Sequence, residues 1–562
     1  MNKKTAPFLI TTLTLALAAC GGGGGGGSDS RQDGSPGAAV SQQGMPPLAA
    51  EEAASAEIVC MGNRCQLPKE AVAAPGGSIY RFLNASNDEQ ELVVSGLASG
   101  MWQAAFTQVA GAGVPNDGMA LRIESSREER TETDHAADYA AAVEARSKLI
   151  TRAPQQRMKL AQRLGMPSAY DLGDTREWYD SKAERDVPAR LHAKRPLPGG
   201  AQVYVWMAGE VAVSADLAQG QTAFLAERFA NSVYPLEVSL LGQPWGETNS
   251  KIAAYYIPVD TQDVHIVVLP LPARTLGYVW TGNFFLDSCP AGKNKSDCSK
   301  TDRSNEALTV FLSSDMLGRV AAGEAWHDRS PGASLAISTL GHEFSHLIFN
   351  YHRYFKGEAA VKTETWESEL FAQTMGYLAA ADTFRGGRGA GADAHPDLRP
   401  GGDFEQALGW VACSFSGWKD RSCYPKAMAL GAMMLHTHGP AFLQTWMTSP
   451  VAGAPALSAG LRAAGGQGYI DVLERYTGTM LSAGSAAVPA RYGYAARQIS
   501  LPPSTYLPHG KNIALPAISI AGDRSLFPTT PNFEISKQYS HVRNGVLTLR
   551  VPANSWLSLR KG

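Results

Sequence analysis

The stretch from Leu335 to Phe355, LAISTLGHEFSHLIFNYHRYF, constrains the fold most, because it carries the pattern H-E-x-x-H. In a helix, His342 and His346 lie one turn apart on the same face, a spacing at which both imidazoles reach one metal ion. Apolar residues surround this pair, so we expect a buried helix whose polar face lines a cleft. Glu343 lies beside the two histidines, where a general base is expected.

A catalytic metal site of this kind needs a third protein ligand and one position left open for water. The stretch Thr363 to Ala380, TETWESELFAQTMGYLAA, predicts a second helix that carries three glutamates. Glu364 and Glu367 lie in its first turn, where a solvated or capping carboxylate is usual. Glu369 lies nearest the apolar centre, where a buried carboxylate is costly unless a metal or a cation binds it. Glu369 is therefore the preferred third ligand, and His352 is expected at the surface or behind the ligands.

These two stretches resemble the gluzincin metalloproteases, in which two histidines and one glutamate bind zinc. The closer resemblance is to the hyicolysin family of secreted bacterial metallopeptidases. Its patterns H-E-F-x-H and E-T-W-x-x-E are similar to residues 342–346 and 364–369 of this chain. The resemblance implies one Zn²⁺ per chain, bound by His342, His346 and Glu369.

Two positions depart from the family pattern. Ser368 stands where these helices often have Asn, and Gln373 stands where thermolysin-like enzymes place an Asp that orients a ligand histidine. The support of the ligand histidines is therefore expected to differ from the family pattern.

The resemblance covers about residues 170 to 480 and implies an α+β fold. In this zincin-like catalytic domain, a mixed sheet precedes the active-site helix and a mainly helical part follows it. The apolar patterns agree, since they predict strands at 202–208, 265–271 and 307–314 and a helix at 217–242.

The function implied by the resemblance is zinc-dependent endopeptidase activity on a polypeptide substrate. Zinc would lower the pKa of the attacking water and polarise the scissile carbonyl, and Glu343 would pass the proton of that water to the leaving amine. Candidates for stabilising the oxyanion are Tyr377, His436 and His438. Two alternatives stay open: a surface lipoprotein that binds a host or envelope component through an inactive zincin domain, and a metal-dependent hydrolase of other amides.

The N-terminal residues indicate export. Residues 1–19 have the form of a signal peptide, and their L-A-A-C ending resembles a bacterial lipobox that would make Cys20 the lipidated first residue. Residues 20–56 begin with a glycine run and hold few large apolar side chains, which predicts a flexible tether. Gly21 after the cysteine favours the outer membrane by resemblance to Gram-negative lipoproteins. The predicted partner is thus a membrane, reached through the lipid anchor, and the periplasmic or cell-surface orientation stays open.

The other six cysteines fall in close pairs, which suits an exported protein. Three short-range disulfides are the simplest connectivity, and structural zinc ligation is the rival, although no C-x-x-C pair is present. The paired candidates are Cys60 with Cys65, Cys289 with Cys298, and Cys413 with Cys423.

Composition divides the rest of the chain into further domains. A formal net charge of −2 gives no electrostatic case for nucleic-acid binding. Alternating apolar runs predict a small β domain at 57–125 and another at 491–562. A charged stretch at 126–198 predicts a helical connector, and 199–490 is the expected catalytic domain.

Overall fold

The structure is a computed structural model. It describes residues 55–68, 79–108, 135–150, 169–211, 215–248, 252–289, 293–319, 331–357, 360–384, 395–398, 418, 423–482, 491–518, 535–553 and 555–561. The signal peptide, the tether and Cys20 are predictions that lie outside these residues. Within the described ranges, no helix combines the length and the apolar character needed to cross a membrane.

Strands and helices are mixed along the chain, which confirms the expected α+β class. The strands are β1 (Ser55–Glu57), β2 (Val59–Met61), β3 (Arg64–Gln66), β4 (Ile79–Asn84), β5 (Gln90–Ser95), β6 (Gly100–Gln108), β7 (Thr175–Asp180), β8 (Arg185–Pro196), β9 (Gln202–Ala208), β10 (Val264–Leu269), β11 (Gly277–Val279), β12 (Leu308–Ser313), β13 (Arg497–Leu501), β14 (Lys511–Leu515), β15 (Ile535–Val542), β16 (Val546–Val551) and β17 (Ser555–Lys561). The α-helices are α1 (His135–Ile150), α2 (Ala215–Arg228), α3 (Tyr234–Leu241), α4 (Pro331–Asn350), α5 (Thr365–Thr383), α6 (Tyr424–His438), α7 (Phe442–Met447), α8 (Gly453–Ala463) and α9 (Tyr469–Leu481). One π-helical turn joins α2 to α3, and another, Tyr351–Phe355, follows α4.

A six-stranded mixed sheet lies at the centre of the chain, in the order β11-β12-β10-β9-β8-β7. The three middle strands β12, β10 and β9 are parallel and entirely or almost entirely buried, as expected for strands covered on both faces. One face carries the main apolar core, to which α2, α3 and α4 contribute, and the other face packs an aromatic layer that includes Trp178 and Trp206. Helix α4 lies against β11 and β12, so it sits at one edge of the sheet.

The strands predicted at 202–208, 265–271 and 307–314 are confirmed as β9, β10 and β12. The sequence predicts a helical connector at 126–198. In the structure this range contains the strands β7 and β8 as well as the helix α1. In β8, buried Val187, Ala189 and Leu191 alternate with more exposed residues, the period of a strand. Charged residues between these apolar positions hid that alternation.

The first and last strands of the chain form two further sheets, in the orders β1-β4-β17-β6-β15 and β16-β5-β3-β2. Strand β17 pairs antiparallel with both β4 and β6, and β16 pairs with β5. Side chains from both sheets, such as Trp102 and Leu549, share one apolar core. The two β domains predicted at 57–125 and 491–562 therefore join in one two-layered unit, here called the terminal sandwich, while β13 and β14 pack on the main core.

Two of the predicted disulfides are present, Cys60–Cys65 and Cys289–Cys298. Cys423 is also in a disulfide, and its predicted partner Cys413 lies outside the described residues. The close pairing of cysteines is thus confirmed for two of the three pairs.

Candidate active site

Two glycines allow α4 and α5 to pack at very short range. A Cβ atom on Gly341 would lie 2.6 Å from the Cβ of Ala379, and one on Gly376 would lie 2.9 Å from the carbonyl oxygen of Ser338. Both distances are too short for a side chain, so only glycine permits this approach. The close contact brings the polar face of α4 against the buried face of α5.

Three predicted ligands meet where the two helices touch. The Nε2 atoms of His342 and His346 are 3.1 Å apart, and the Oε2 atom of Glu369 lies 3.2 Å and 3.6 Å from them. A tetrahedral metal with bonds of about 2.0–2.1 Å separates its ligand atoms by roughly 3.4 Å, so one metal ion could contact all three atoms. This Oε2 atom is buried against the two imidazoles, an arrangement of donor atoms that a metal ion would stabilise.

The other two glutamates of α5 have different partners. Glu364 accepts a hydrogen bond from the indole N–H of Trp366 at the start of the helix. Glu367 is fully buried and pairs with Arg353, whose Nη2 atom lies 2.6 Å from its Oε1 atom. Neither arrangement points to metal binding, which agrees with the preference for Glu369.

The two positions that depart from the family pattern hold the ligand histidines. The hydroxyl of Ser368 lies 3.1 Å from Nδ1 of His346, and the side chain of Gln373 hydrogen-bonds His342. The amide nitrogen of Gln373 donates to the carbonyl oxygen of Tyr424, which leaves its oxygen to accept from the histidine. A hydrogen bond at one ring nitrogen fixes the tautomer and aims the other nitrogen at the metal position.

The pKa values of the four titratable groups in the site are shifted in different directions. Burial alone would raise the pKa of Glu369, but His346 and His342 together lower it well below its usual range. Burial lowers the pKa of His346, whereas the pKa of His342 is raised because hydrogen bonding and charge from Glu369 and Glu343 outweigh its burial. Burial also raises the pKa of Glu343 to about 7. A carboxyl that exchanges a proton near neutral pH suits general acid–base chemistry.

Glu343 lies between the ligands and the edge strand β11. A Cβ atom on Gly277 would be 2.9 Å from Cγ of Glu343 and 3.0 Å from the carbonyl oxygen of Phe311, so glycine is required for α4 to reach the strand. The backbone of Val279 hydrogen-bonds the Glu343 carboxylate. The general-base candidate is thereby held beside the one edge of the sheet at which α4 lies.

The predicted oxyanion candidates are buried residues of the helices α5 and α6. The hydroxyl of Tyr377 lies 2.9 Å from Nε2 of His436, whose Nδ1 atom lies 2.7 Å from the carbonyl oxygen of Ala495. His438 packs against Gly466, and His352 packs against Gly242. These contacts give each histidine a structural place, and an oxyanion role remains a prediction.

Sequence reasoning missed two residues near the site, and the first is His135 at the start of α1. Its ring lies 4.6 Å from that of His346, centroid to centroid, and ligand atoms of His135, His346 and Glu369 all lie within 4.8 Å of one another. No motif surrounds His135 in the sequence, and the charged residues of this stretch predict only a connector. The fold alone brings it to the ligands.

Lys182, in the turn between β7 and β8, is a second residue that sequence reasoning missed. Burial lowers the pKa of its ammonium group, and the negative charges of Asp138, Glu343 and Glu369 act in the opposite direction. Lys182 thus adds a positive charge near the two carboxylates of the site.

Comparison with known proteins gives one finding at the level of family. No curated protein matches the chain, but the family model described as Peptidase M30 matches residues 182–558, which is most of the sequence. The matched range contains both helices of the site and all the predicted ligands. The chain therefore belongs to the peptidase M30 family of metallopeptidases, and it is a peptidase, a hydrolase of peptide bonds.

Proposed function

We propose that the chain is a zinc-dependent endopeptidase in which His342, His346 and Glu369 hold the metal and Glu343 is the general base. The observation that carries this proposal is the convergence of three ligand atoms at 3.1–3.6 Å, with the buried carboxylate of Glu369 among them. Two imidazoles and one carboxylate are a donor set that zinc accepts in hydrolytic enzymes. The sheet followed by the ligand helix α4 supports a zincin-like arrangement.

Zinc, when bound, would supply the Lewis acid that activates water and polarises the scissile carbonyl. Glu343 then takes the proton of the attacking water and delivers it to the amine nitrogen as the C–N bond breaks. The backbone hydrogen bond from Val279 holds the Glu343 carboxylate in place for both transfers. Ser368 and Gln373 keep the ligand nitrogens of His346 and His342 directed at the metal.

A polypeptide in extended form is the substrate that this site suits. Strand β11 is the outer strand of its sheet and lies directly beside Glu343. An extended peptide can add to such an edge by main-chain hydrogen bonds, a mode that accepts many side chains. We therefore expect cleavage within unfolded chains and little discrimination by main-chain contacts alone.

We further propose that Cys20 carries a lipid that anchors the enzyme in the bacterial outer membrane. The support is the L-A-A-C sequence that ends the apolar N-terminal stretch. Cys20→Ala should move the protein from the membrane fraction to the soluble fraction of cells. A C20A protein that stays with the membranes would rule out this anchor.

The zinc and the general base are tested together with the purified protein. We expect one zinc per chain, cleavage of casein that o-phenanthroline abolishes, and recovery when zinc is restored. Glu343→Gln should keep the zinc and lose activity by about 10²–10⁴-fold, because proton transfer is removed and the ligands are not. The matched control is Glu227→Gln, an exposed glutamate on α2. Casein cleavage by E343Q at the rate of the control would exclude Glu343 as the base.

A further inference from the structure

Helix α1 is fixed to the catalytic part of the chain although it precedes the family match, which begins at Lys182. Its Ala142 is buried in the main core, and Tyr139 stacks on Tyr354 with ring centroids 5.2 Å apart. The edge of the same ring meets Phe355 at 5.0 Å. Asp138 adds an ion pair with Lys300 at 3.7 Å. These contacts dock α1 on the π-helical turn that follows the ligand helix α4.

The docked helix delivers His135 to the metal ligands. His135 is 4 % exposed, and its ring packs on the ring of His346. Its backbone carbonyl accepts a hydrogen bond from the hydroxyl of Thr281, which fixes the start of the helix. Among the described residues, the Nδ1 atom of His135 is buried and has no hydrogen-bond partner. A buried, unpartnered imidazole nitrogen is costly, and a metal bound at that nitrogen would remove the cost.

We propose that His135 is a fourth protein ligand of the metal and that α1 thereby holds the enzyme in a latent form. This inference rests on the zinc site of the proposed function. A catalytic zinc site keeps one position open, whereas four protein ligands close it. The ligand atoms of His135, His346 and Glu369 already lie within 4.8 Å of one another, and metal binding would draw them closer.

The burial of the site agrees with a latent form. His342, Glu343, His346 and Glu369 are only 2–8 % exposed, although their substrate is a polypeptide that must reach them. A movement that uncovers them would open the site to substrate. Helix α1 is suited to that movement, because it lies outside the matched family domain and its removal would take no ligand of the three-residue set.

X-ray absorption at the zinc edge of the full-length protein tests the ligand directly. We expect three imidazole nitrogens at the metal in the parent protein and two in His135→Ala, with one zinc per chain in both. His541→Ala, which removes an exposed histidine on β15, is the matched control and should keep three. Two imidazoles in the parent as well as in H135A would exclude His135 as a fourth ligand and leave the proposed zinc site intact. Absence of zinc from both proteins would overturn the site itself.

Activity supplies an independent readout. If His135 closes the site in most molecules, H135A should cleave casein at least about tenfold faster, since the competent fraction rises. Tyr139→Ala keeps His135 but removes the stacking that docks α1, so it should raise activity by a smaller factor. A loss of activity in H135A with zinc retained would exclude the latent form and assign His135 to catalysis instead.

Discussion

The helices α4 and α5 and the terminal sandwich differ in how far apart in the chain their contacting residues lie. Helices α4 and α5 are neighbours in the chain, and glycine contacts and buried hydrogen bonds bring three candidate ligand atoms to 3.1–3.6 Å of one another. The sandwich joins the two ends of the described chain, and apolar side chains from both ends fill its core. The positions of the side chains depend on local packing and polar partners in the first region. They depend on the pairing of distant strands in the second region.

The largest effect is expected where a buried ion pair clamps the two ligand helices. Arg353 follows α4 and donates to Glu367 of α5 and to the backbone oxygens of Trp446, Ser449 and Val451. Arg353→Met leaves the Glu367 carboxylate without its charge partner and should cost about 3–5 kcal/mol in the free energy of unfolding. Chemical denaturation measures the loss, and zinc content should fall with it.

The control for this variant is the double change Arg353→Met with Glu367→Gln, which removes the unpaired charge. It should recover part of the lost stability. A double variant less stable than R353M would show that the ion pair is not the source of the effect.

A change in the sandwich should separate stability from metal binding. Leu559 on β17 is fully buried in the sandwich core, so Leu559→Ala should cost about 2–5 kcal/mol. We expect zinc content to stay at the parent value, because the ligands belong to the other region. Hydrogen exchange should report faster opening of β4 and β6, and loss of zinc in L559A would show that the two regions are more strongly coupled than proposed.

A smaller effect is expected from the hydrogen bonds behind the ligands. Ser368→Ala removes the partner of His346 Nδ1 and should weaken zinc binding by about 10–100-fold without removing a ligand. Competition with a chromophoric chelator measures the affinity. Ser500→Ala, an exposed serine on β13, should bind zinc as the parent does, and equal affinities of S368A and S500A would exclude a role for the hydroxyl.

The smallest effect concerns pH and helix α9, which packs on β6 and β17 of the terminal sandwich. Burial alone would raise the pKa of Asp471, but Arg491 and Arg475 lower it below its unfolded value. The stabilising contribution is therefore present above the unfolded pKa of 3.8 and is lost as the pH falls through the folded value. Urea unfolding between pH 3 and 7 should show a shallower acid dependence for Asp471→Asn than for the parent, and identical slopes would exclude this group.

The candidate site is easier to predict from the sequence than the fold, because its residues lie close together in the chain. His342, His346 and Glu369 lie on consecutive helices, so helical periodicity and the cost of burying a carboxylate are enough to select them. Gln373 and Ser368 were identified only as departures from a pattern, since their bonds depend on the exact approach of α5. The pairing of β17 with β4 and the arrival of His135 depend on contacts between distant parts of the chain, for which local patterns carry no signal.

The position of β17 in the terminal sandwich has a consequence for biosynthesis. In the sheet formed by the described residues, β4 and β6 do not pair with each other, because β17 lies between them. Both are made several hundred residues earlier, so at roughly 5–20 residues per second they wait for tens of seconds with unpaired edges. Exposed strand edges invite pairing with other chains. The last segment of the described chain to emerge thus ends the period in which the nascent protein is most exposed to aggregation.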